Sequence, residues 1–195
     1  MVNLSKGQRV SLDKNMRLCL VGLGWDPNRY RGRHDFDLDA SVFLVTKNGK
    51  VRSDDDFVFY GNLTHSSGSV KSLGDDRTGG NSEDGDDEQI IIDLDKIPSY
   101  VDRLAITVTI YDAASRRQNF GQVSNAYVRV VKIRNEYDND GYEVVRYDLD
   151  EEFADETAIV ACEITRNGNE WKFCAVGAGY RGELAGLCRK FGVDV

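Results

Sequence analysis

Acidic residues are concentrated in one glycine-rich segment of the chain, residues 74–88. Seven acids and a single base, Arg77, give this segment a charge of −6, compared with −8 for the whole chain of 195 residues. Its glycines allow a tight fold that presents carbonyls and carboxylates inward, and loops longer than about 12 residues in a compact domain are usually functional or disordered. The seven acids are Asp75, Asp76, Glu83, Asp84, Asp86, Asp87 and Glu88.

A second group of acids lies at Asp35, Asp37 and Asp39, where polar and apolar residues alternate along positions 36–45. Alternation with a period of two predicts a half-buried strand. The three carboxylates would then share one face, about 6.6 Å apart along the strand. Like charges placed in this way repel each other, so that face should lie beside a cation or water.

Carboxylate, hydroxyl and carbonyl oxygens without His or Cys select a hard cation. Calcium accepts six to eight oxygens in irregular geometry, whereas magnesium requires a near-ideal octahedron and retains several waters. The ten acids of the two groups could serve two calcium ions. An EF-hand starting at Asp35 is excluded, because its sixth and twelfth positions are Ala40 and Thr46 rather than Gly and Glu. We therefore expect a sheet-end calcium site built from two segments; the alternative is a solvated charge run.

The elements that must position these acids are predominantly strands, bounded by turn signals at short intervals. This pattern predicts an all-β fold, a β-sandwich of two mainly antiparallel sheets with a few short helices, in a single domain spanning residues 1–195. Helix signals are limited to a turn at residues 95–102 and to residues 183–191, with Gly192 at the C-terminal end. The expected strands are residues 17–22, 36–45, 57–60, 89–93, 104–111, 126–133, 143–148, 157–166 and 170–176.

One hairpin can be predicted residue by residue. Asn167-Gly168 is the strongest two-residue turn signal. Placing these two residues at the centre of the turn sets Arg166 opposite Asn169, and it sets Glu163 opposite Lys172, an opposite-charge pair across the strands.

Composition excludes several classes of protein. An isoelectric point near 4.8 argues against a nucleic-acid-binding protein, which would carry a basic face. No apolar run approaches the 18 residues of a membrane-spanning helix, and the first ten residues lack a signal-peptide pattern. These features predict a cytoplasmic location. The four cysteines match neither a CxxC pair nor a zinc spacing, and we expect buried thiols.

Candidates for catalysis are few. His34 and His65 are the two histidines, and the sequence reveals no partners for a Ser–His–Asp or Cys–His site. Arg116 and Arg117 follow an apolar strand and could bind an anion or pair with the acidic segment, although an exposed connection is favoured.

Several multi-residue motifs, in order along residues 2–193, resemble the TerD family of tellurium-resistance and general stress proteins. They are GLGWD at 22–26, DFDLDAS at 35–41, FVFY at 57–60, GDDRTG at 74–79, GDDE at 85–88, TIYDA at 109–113, QNFGQ at 118–122, RYDL at 146–149, ETA at 156–158 and EWKF at 170–173.

The resemblance implies a two-sheet β-sandwich with two neighbouring calcium sites. It also implies a bacterial cytoplasmic protein that acts with other stress-resistance proteins in a membrane-associated complex. Carried over residue by residue, the implied calcium ligands are Asp37, Asp39, Asp75, Asp76, Thr78, Asp86, Asp87 and Glu88, with Asp35 and Asp84 as further candidates.

The resulting prediction is a non-catalytic, calcium-binding stress-response protein. Two alternatives remain open. One is a metal-dependent enzyme that acts on a phosphate or an oxyanion. The other is a calcium-independent interaction module whose acidic segment meets a basic partner.

Overall fold

The computed structural model describes residues 1–27, 34–74, 85–138, 140–149 and 153–194. These residues form twelve strands and a few short helices. The strands are β1 (Val2–Leu4), β2 (Arg9–Ser11), β3 (Leu18–Gly24), β4 (Leu38–Thr46), β5 (Phe57–Val58), β6 (Val70–Ser72), β7 (Glu88–Asp93), β8 (Val101–Ile110), β9 (Tyr127–Ile133), β10 (Tyr142–Asp148), β11 (Ala158–Asn167) and β12 (Glu170–Tyr180). The helices are α1 (Ala113–Arg116) and α2 (Glu183–Phe191), with 3₁₀ turns at Asp54–Asp56, Leu94–Lys96 and Phe120–Gln122.

The strands form two six-stranded sheets. The first sheet has the order β1-β10-β9-β3-β7-β6 and the second has the order β2-β12-β11-β8-β4-β5. Strand β1 runs parallel to β10, and the remaining pairs in the described chain are antiparallel. The predicted all-β sandwich of two mainly antiparallel sheets is therefore confirmed.

The main core lies between the two sheets because every second residue of each strand points inward. Val21 of β3 and Ile92 of β7 belong to this core, as do Leu44 of β4 and Ile106 of β8. The alternation predicted for residues 36–45 is confirmed: Leu38, Ala40, Val42 and Leu44 join the main core, so the residues between them face away from it.

A second, smaller core covers the outer face of the second sheet. Helix α2 packs Leu187 and Phe191 against Phe43, Val45 and Ala105. The helix has the predicted bounds and ends at Gly192, whose φ of +82° suits the left-handed C-terminal position. Strand β4 is consequently buried on both faces, so the prediction of a half-buried strand is wrong. Strand β8 beside it is also buried on both faces, which agrees with its mainly apolar sequence.

The β11–β12 hairpin differs from the sequence prediction by two residues of register. Asn167 lies opposite Glu170, so that Gly168 and the asparagine after it form the turn. Gly168 has φ of +62°, and the asparagine does not adopt positive φ, which is the pattern of a type II′ turn with glycine first. Glu163 therefore does not face the predicted lysine; it pairs with Arg103 of β8 at 3.0 Å.

The four cysteines, Cys19, Cys162, Cys174 and Cys188, are free thiols and buried, as expected. None of the helices in the described residues is long and apolar enough to cross a membrane.

Candidate metal centre

Asp37 and Asp39 lie at the start of β4, on the face of the second sheet that points away from the main core. They are only 6% and 8% exposed. Asp39 pairs in register with Thr109 of β8, and the carbonyl of Asp37 accepts a hydrogen bond from the backbone N–H of Tyr111 at 2.8 Å. Asp35 is exposed and precedes the strand, so the structure places two of the three predicted carboxylates together in a buried position.

Arg116, at the end of α1, faces this pair. Its Nη1 lies 3.3 Å from Oδ2 of Asp37, and its guanidinium stacks over the ring of Tyr111 at 5.2 Å. The expectation of a simple exposed connection is therefore wrong for Arg116, although Arg117 is exposed. The short helix follows Asp112, whose φ of 52° turns the chain back over β4.

The two acidic groups meet at Ala40. Glu88 is the first residue of β7 and shares the inward face of Ile90 and Ile92. Its Oε2 accepts a hydrogen bond from the backbone N–H of Ala40, the residue that follows Asp39. Glu88 is 6% exposed, so the end of the acidic segment is fixed against the start of β4.

Asp87 fixes the same segment to β3. Its Oδ2 accepts a hydrogen bond from the backbone N–H of Trp25 at 2.9 Å, and its own N–H donates to the carbonyl of Leu23 at 2.7 Å. The indole Nε1 of Trp25 donates to the carbonyl of Phe36 at 3.2 Å. These bonds connect the end of β3, the acidic segment and the residue before Asp37.

Asp86 lies on the outer face of the first sheet, and its side chain is fully buried. Arg129 donates to both of its oxygens, at 2.8 and 2.9 Å, and the hydroxyl of Tyr127 donates to Oδ1 at 2.9 Å. Burial and the Asp86 carboxylate raise the pKa of Tyr127. Gly22 makes this packing possible, because a Cβ there would overlap Oδ2 of Asp86. A role for Asp86 as a ligand would require Arg129 to release it.

Four of the predicted ligands, Asp75, Asp76, Thr78 and Asp84, lie outside the described residues. Within the described residues, no three His, Cys, Asp or Glu side chains form a group able to hold a metal ion. The donor chemistry that is described nevertheless fits a hard cation, since Asp37, Asp39, Asp87 and Glu88 present only oxygens and are held at one end of the sandwich.

The structure also contains a buried histidine network outside the candidate metal centre, which sequence reasoning missed. His65 is 2% exposed, and its Nε2 lies 3.1 Å from Oδ1 of Asp56, which also accepts a hydrogen bond from the hydroxyl of Tyr100 at 2.7 Å. The backbone N–H and the hydroxyl of Ser67 both lie on Nδ1, at 3.1 and 2.8 Å. Because Nδ1 accepts that N–H, Nε2 carries the proton toward Asp56. Ser67, His65 and Asp56 therefore form a hydrogen-bonded network within residues 56–67.

Comparisons with known proteins agree with the fold and identify the family. The family model described as the TerD domain matches residues 1–191. Tellurium resistance protein TerD of Serratia marcescens is 53% identical over 99% of this chain and 98% of its own length. General stress protein 16U of Bacillus subtilis is 48% identical over 100% of this chain and 98% of its own.

A solved structure gives the same result for the fold. The crystal structure of a homologue of telluride resistance protein (TerD) from Streptomyces coelicolor A3(2) superposes with a TM-score of 0.67. It is 24% identical and covers 88% of this chain and 94% of its own length. The chain belongs to the TerD family of tellurium-resistance and general stress proteins.

Proposed function

We propose that this chain is a non-catalytic, calcium-binding stress-response protein that binds two calcium ions at the end of the sandwich where β4 and β7 begin. The observation that carries the proposal is the hydrogen bond from the Ala40 N–H to Glu88. It supports the proposal because it joins the two segments that carry the acidic groups, which the sequence separates by almost fifty residues, at one end of the sandwich.

In this proposal the described ligands are Asp37, Asp39, Asp87 and Glu88, and the remaining donors come from residues 75–84, including Asp75, Asp76, Thr78 and Asp84. Calcium would supply positive charge to a set of oxygens that have lost most of their contact with water. Carboxylates in such surroundings are costly unless they are paired. The chain's own residues fix the donors beforehand: backbone N–H groups of Trp25 and Ala40 hold Asp87 and Glu88, and Arg116 holds Asp37.

The biological setting follows from the relatives, which carry the names of tellurium-resistance and general stress proteins. We place this chain in the same role, in the cytoplasm and in a membrane-associated complex with other stress-resistance proteins. The free cysteines suit a reducing compartment. Metal binding would neutralise the acidic segment and create the surface that a partner protein recognises.

Thermal unfolding of metal-stripped protein, titrated with calcium and separately with magnesium, tests the proposal. A ligand at 100 times its dissociation constant stabilises the folded state by about 2.7 kcal/mol. For a chain of this length, that shift raises Tm by about 5–11 °C. We expect this rise for calcium and a much smaller one for magnesium, since magnesium requires a strict octahedron.

The variant Asp37→Asn/Asp39→Asn should lose most of the calcium-induced rise. A matched control is Asp140→Asn/Asp155→Asn, which removes the same charge from side chains that are 92% and 72% exposed. Each variant is compared with its own metal-free Tm, so that a change in basal stability does not enter the comparison.

Two other outcomes would change the proposal. Equal calcium responses in the two double variants would remove Asp37 and Asp39 from the site. No response to either ion would leave the acidic interaction module, which salt-sensitive binding of a basic partner in chelator would then identify.

A further inference from the structure

A cavity of about 230 Å³ opens on the outer face of the second sheet. It lies between the start of β4, the end of β8 and the first turn of α2. The residues that line it, all in the described part of the chain, include three carboxylates and no lysine, arginine or histidine. Its polar and aromatic wall consists of Asp39, Tyr60, Thr109, Tyr111, Asp112 and Glu183.

Tyr60 is held in place by a column of aromatic rings. Phe191 of α2 stacks on Phe43 with ring centroids 4.5 Å apart, Phe43 on Phe57 at 4.2 Å, and Phe57 on Phe59 at 4.3 Å. The ring of Tyr60 meets that of Phe59 edge-on at 5.0 Å. Tyr60 remains 50% exposed, so the column fixes one side of the ring and leaves the rest at the cavity.

Tyr111 forms another part of the wall and is 49% exposed. Its ring already binds a cation of the chain itself: the guanidinium of Arg116 lies 5.2 Å from the ring centroid and 3.3 Å from the carboxylate of Asp37. Tyr60 and Asp39, which lies two residues after Asp37, line the same cavity. An aromatic face attracts a cation within about 6 Å of the ring centroid.

The carboxylates make the cavity electronegative. Glu183, at the start of α2, is fixed because its Oε1 accepts a hydrogen bond from the backbone N–H of Ala114 at 2.8 Å. Asp112 is exposed at the mouth. Burial, followed by the negative charge of Asp39, raises the pKa of Tyr60, as expected in a negative environment.

We infer that this cavity binds a small organic cation with a primary amine or guanidinium group, held by the carboxylates and by the face of Tyr60. The volume of about 230 Å³ corresponds to about eight water molecules, which suits a short aliphatic diamine or agmatine. A bare metal ion would not use the aromatic walls, because calcium requires six to eight oxygens. This inference goes beyond the proposed calcium function, and the two sites share Asp39.

The test is isothermal titration calorimetry of metal-stripped protein with agmatine in chelator, at low salt. Butane-1,4-diol, which is neutral and of similar length, is the control ligand. We expect agmatine to bind in the millimolar range or tighter and the diol to show no heat of binding up to about 10 mM. Tyr60→Leu and Asp112→Asn should each weaken agmatine binding about 2–5-fold, because each removes one cation contact at a partly exposed site.

Tyr137→Leu is the control variant, since Tyr137 is 87% exposed and does not line the cavity. Its affinity should equal that of the unchanged chain. The inference is overturned if agmatine gives no heat, if the diol binds equally well, or if Asp112→Asn, an exposed change that should not disturb folding, binds as tightly as the control variant. Because calcium is absent throughout, these outcomes do not depend on the calcium proposal.

Discussion

The variant Arg129→Met removes the guanidinium that holds Asp86 while it keeps most of the length of the side chain. Arg129 donates to both oxygens of Asp86, whose side chain is fully buried. Tyr127 and Gln89 would still donate to the carboxylate, at 2.9 and 3.3 Å. These neutral donors supply hydrogen bonds but no positive charge, so a buried anion would lose its strongest compensation.

Removing one partner of a buried ion pair costs about 3–5 kcal/mol. For a chain of this length, the same loss lowers Tm by about 6–20 °C. The assay is urea denaturation at pH 7 in chelator, monitored by tryptophan fluorescence. The free energies of unfolding of the variant and the unchanged chain are compared, provided that their m-values are equal. Chelator keeps calcium-dependent stability out of the comparison.

Arg146→Met is the matched control. Arg146 lies opposite Arg129 on the neighbouring strand, and its guanidinium stacks over the ring of Tyr127 at 3.7 Å. It pairs with Asp148, which is 56% exposed, and pairs of this kind contribute about 0–1 kcal/mol. A loss for Arg129→Met no larger than that for Arg146→Met would refute the structural role assigned to the Asp86 pair.

Two further predictions concern alkaline pH and thiol reactivity. Burial and the hydrogen bond to Asp56 raise the pKa of Tyr100 from 10.0 to about 12. Between these pH values the unfolded chain loses the phenolic proton of Tyr100, whereas the folded chain keeps it. The free energy of unfolding therefore falls as pH rises through this range. Tyr100→Phe should make that decline shallower in urea titrations from pH 9 to 12, whereas Tyr137→Phe, at an 87% exposed position, should leave it unchanged. Burial raises the pKa of Cys19 to about 12 and also raises those of Cys162 and Cys188. These three buried thiols should therefore react with Ellman's reagent only after denaturation, and rapid reaction of more than one thiol per native chain at pH 8 would contradict this packing.

Elements with a strong periodic or apolar pattern could be predicted, because the pattern of one chain segment alone determines which of its faces is buried. The strand at residues 36–45 and helix α2 are examples. Strands β1 and β2 could not be predicted in the same way. Each has three residues, and each exists because it pairs with the edge of a sheet, β1 with β10 and β2 with β12.

The hairpin shows how a correct local signal can still give the wrong register. Asn-Gly does mark the turn, but two adjacent pairs of residues, Asn167-Gly168 and Gly168-Asn169, can occupy its centre. Both leave Gly168 able to take positive φ. The choice is made by the pairing of β11 and β12 with the rest of the second sheet, including the bulge between Val160 and Cys162.

The sequence by itself determined the composition of the candidate site: its acids, their oxygen-only chemistry, and the face that Asp37 and Asp39 share on β4. Only the tertiary structure decided that the two acidic groups meet, with Glu88 on the backbone of Ala40, and that Asp86 turns to the opposite face of the first sheet to pair with Arg129. The physical reason is that the periodicity of one strand fixes which face of that strand each side chain occupies. The partner that a buried charge finds depends on which distant strand the fold brings beside it.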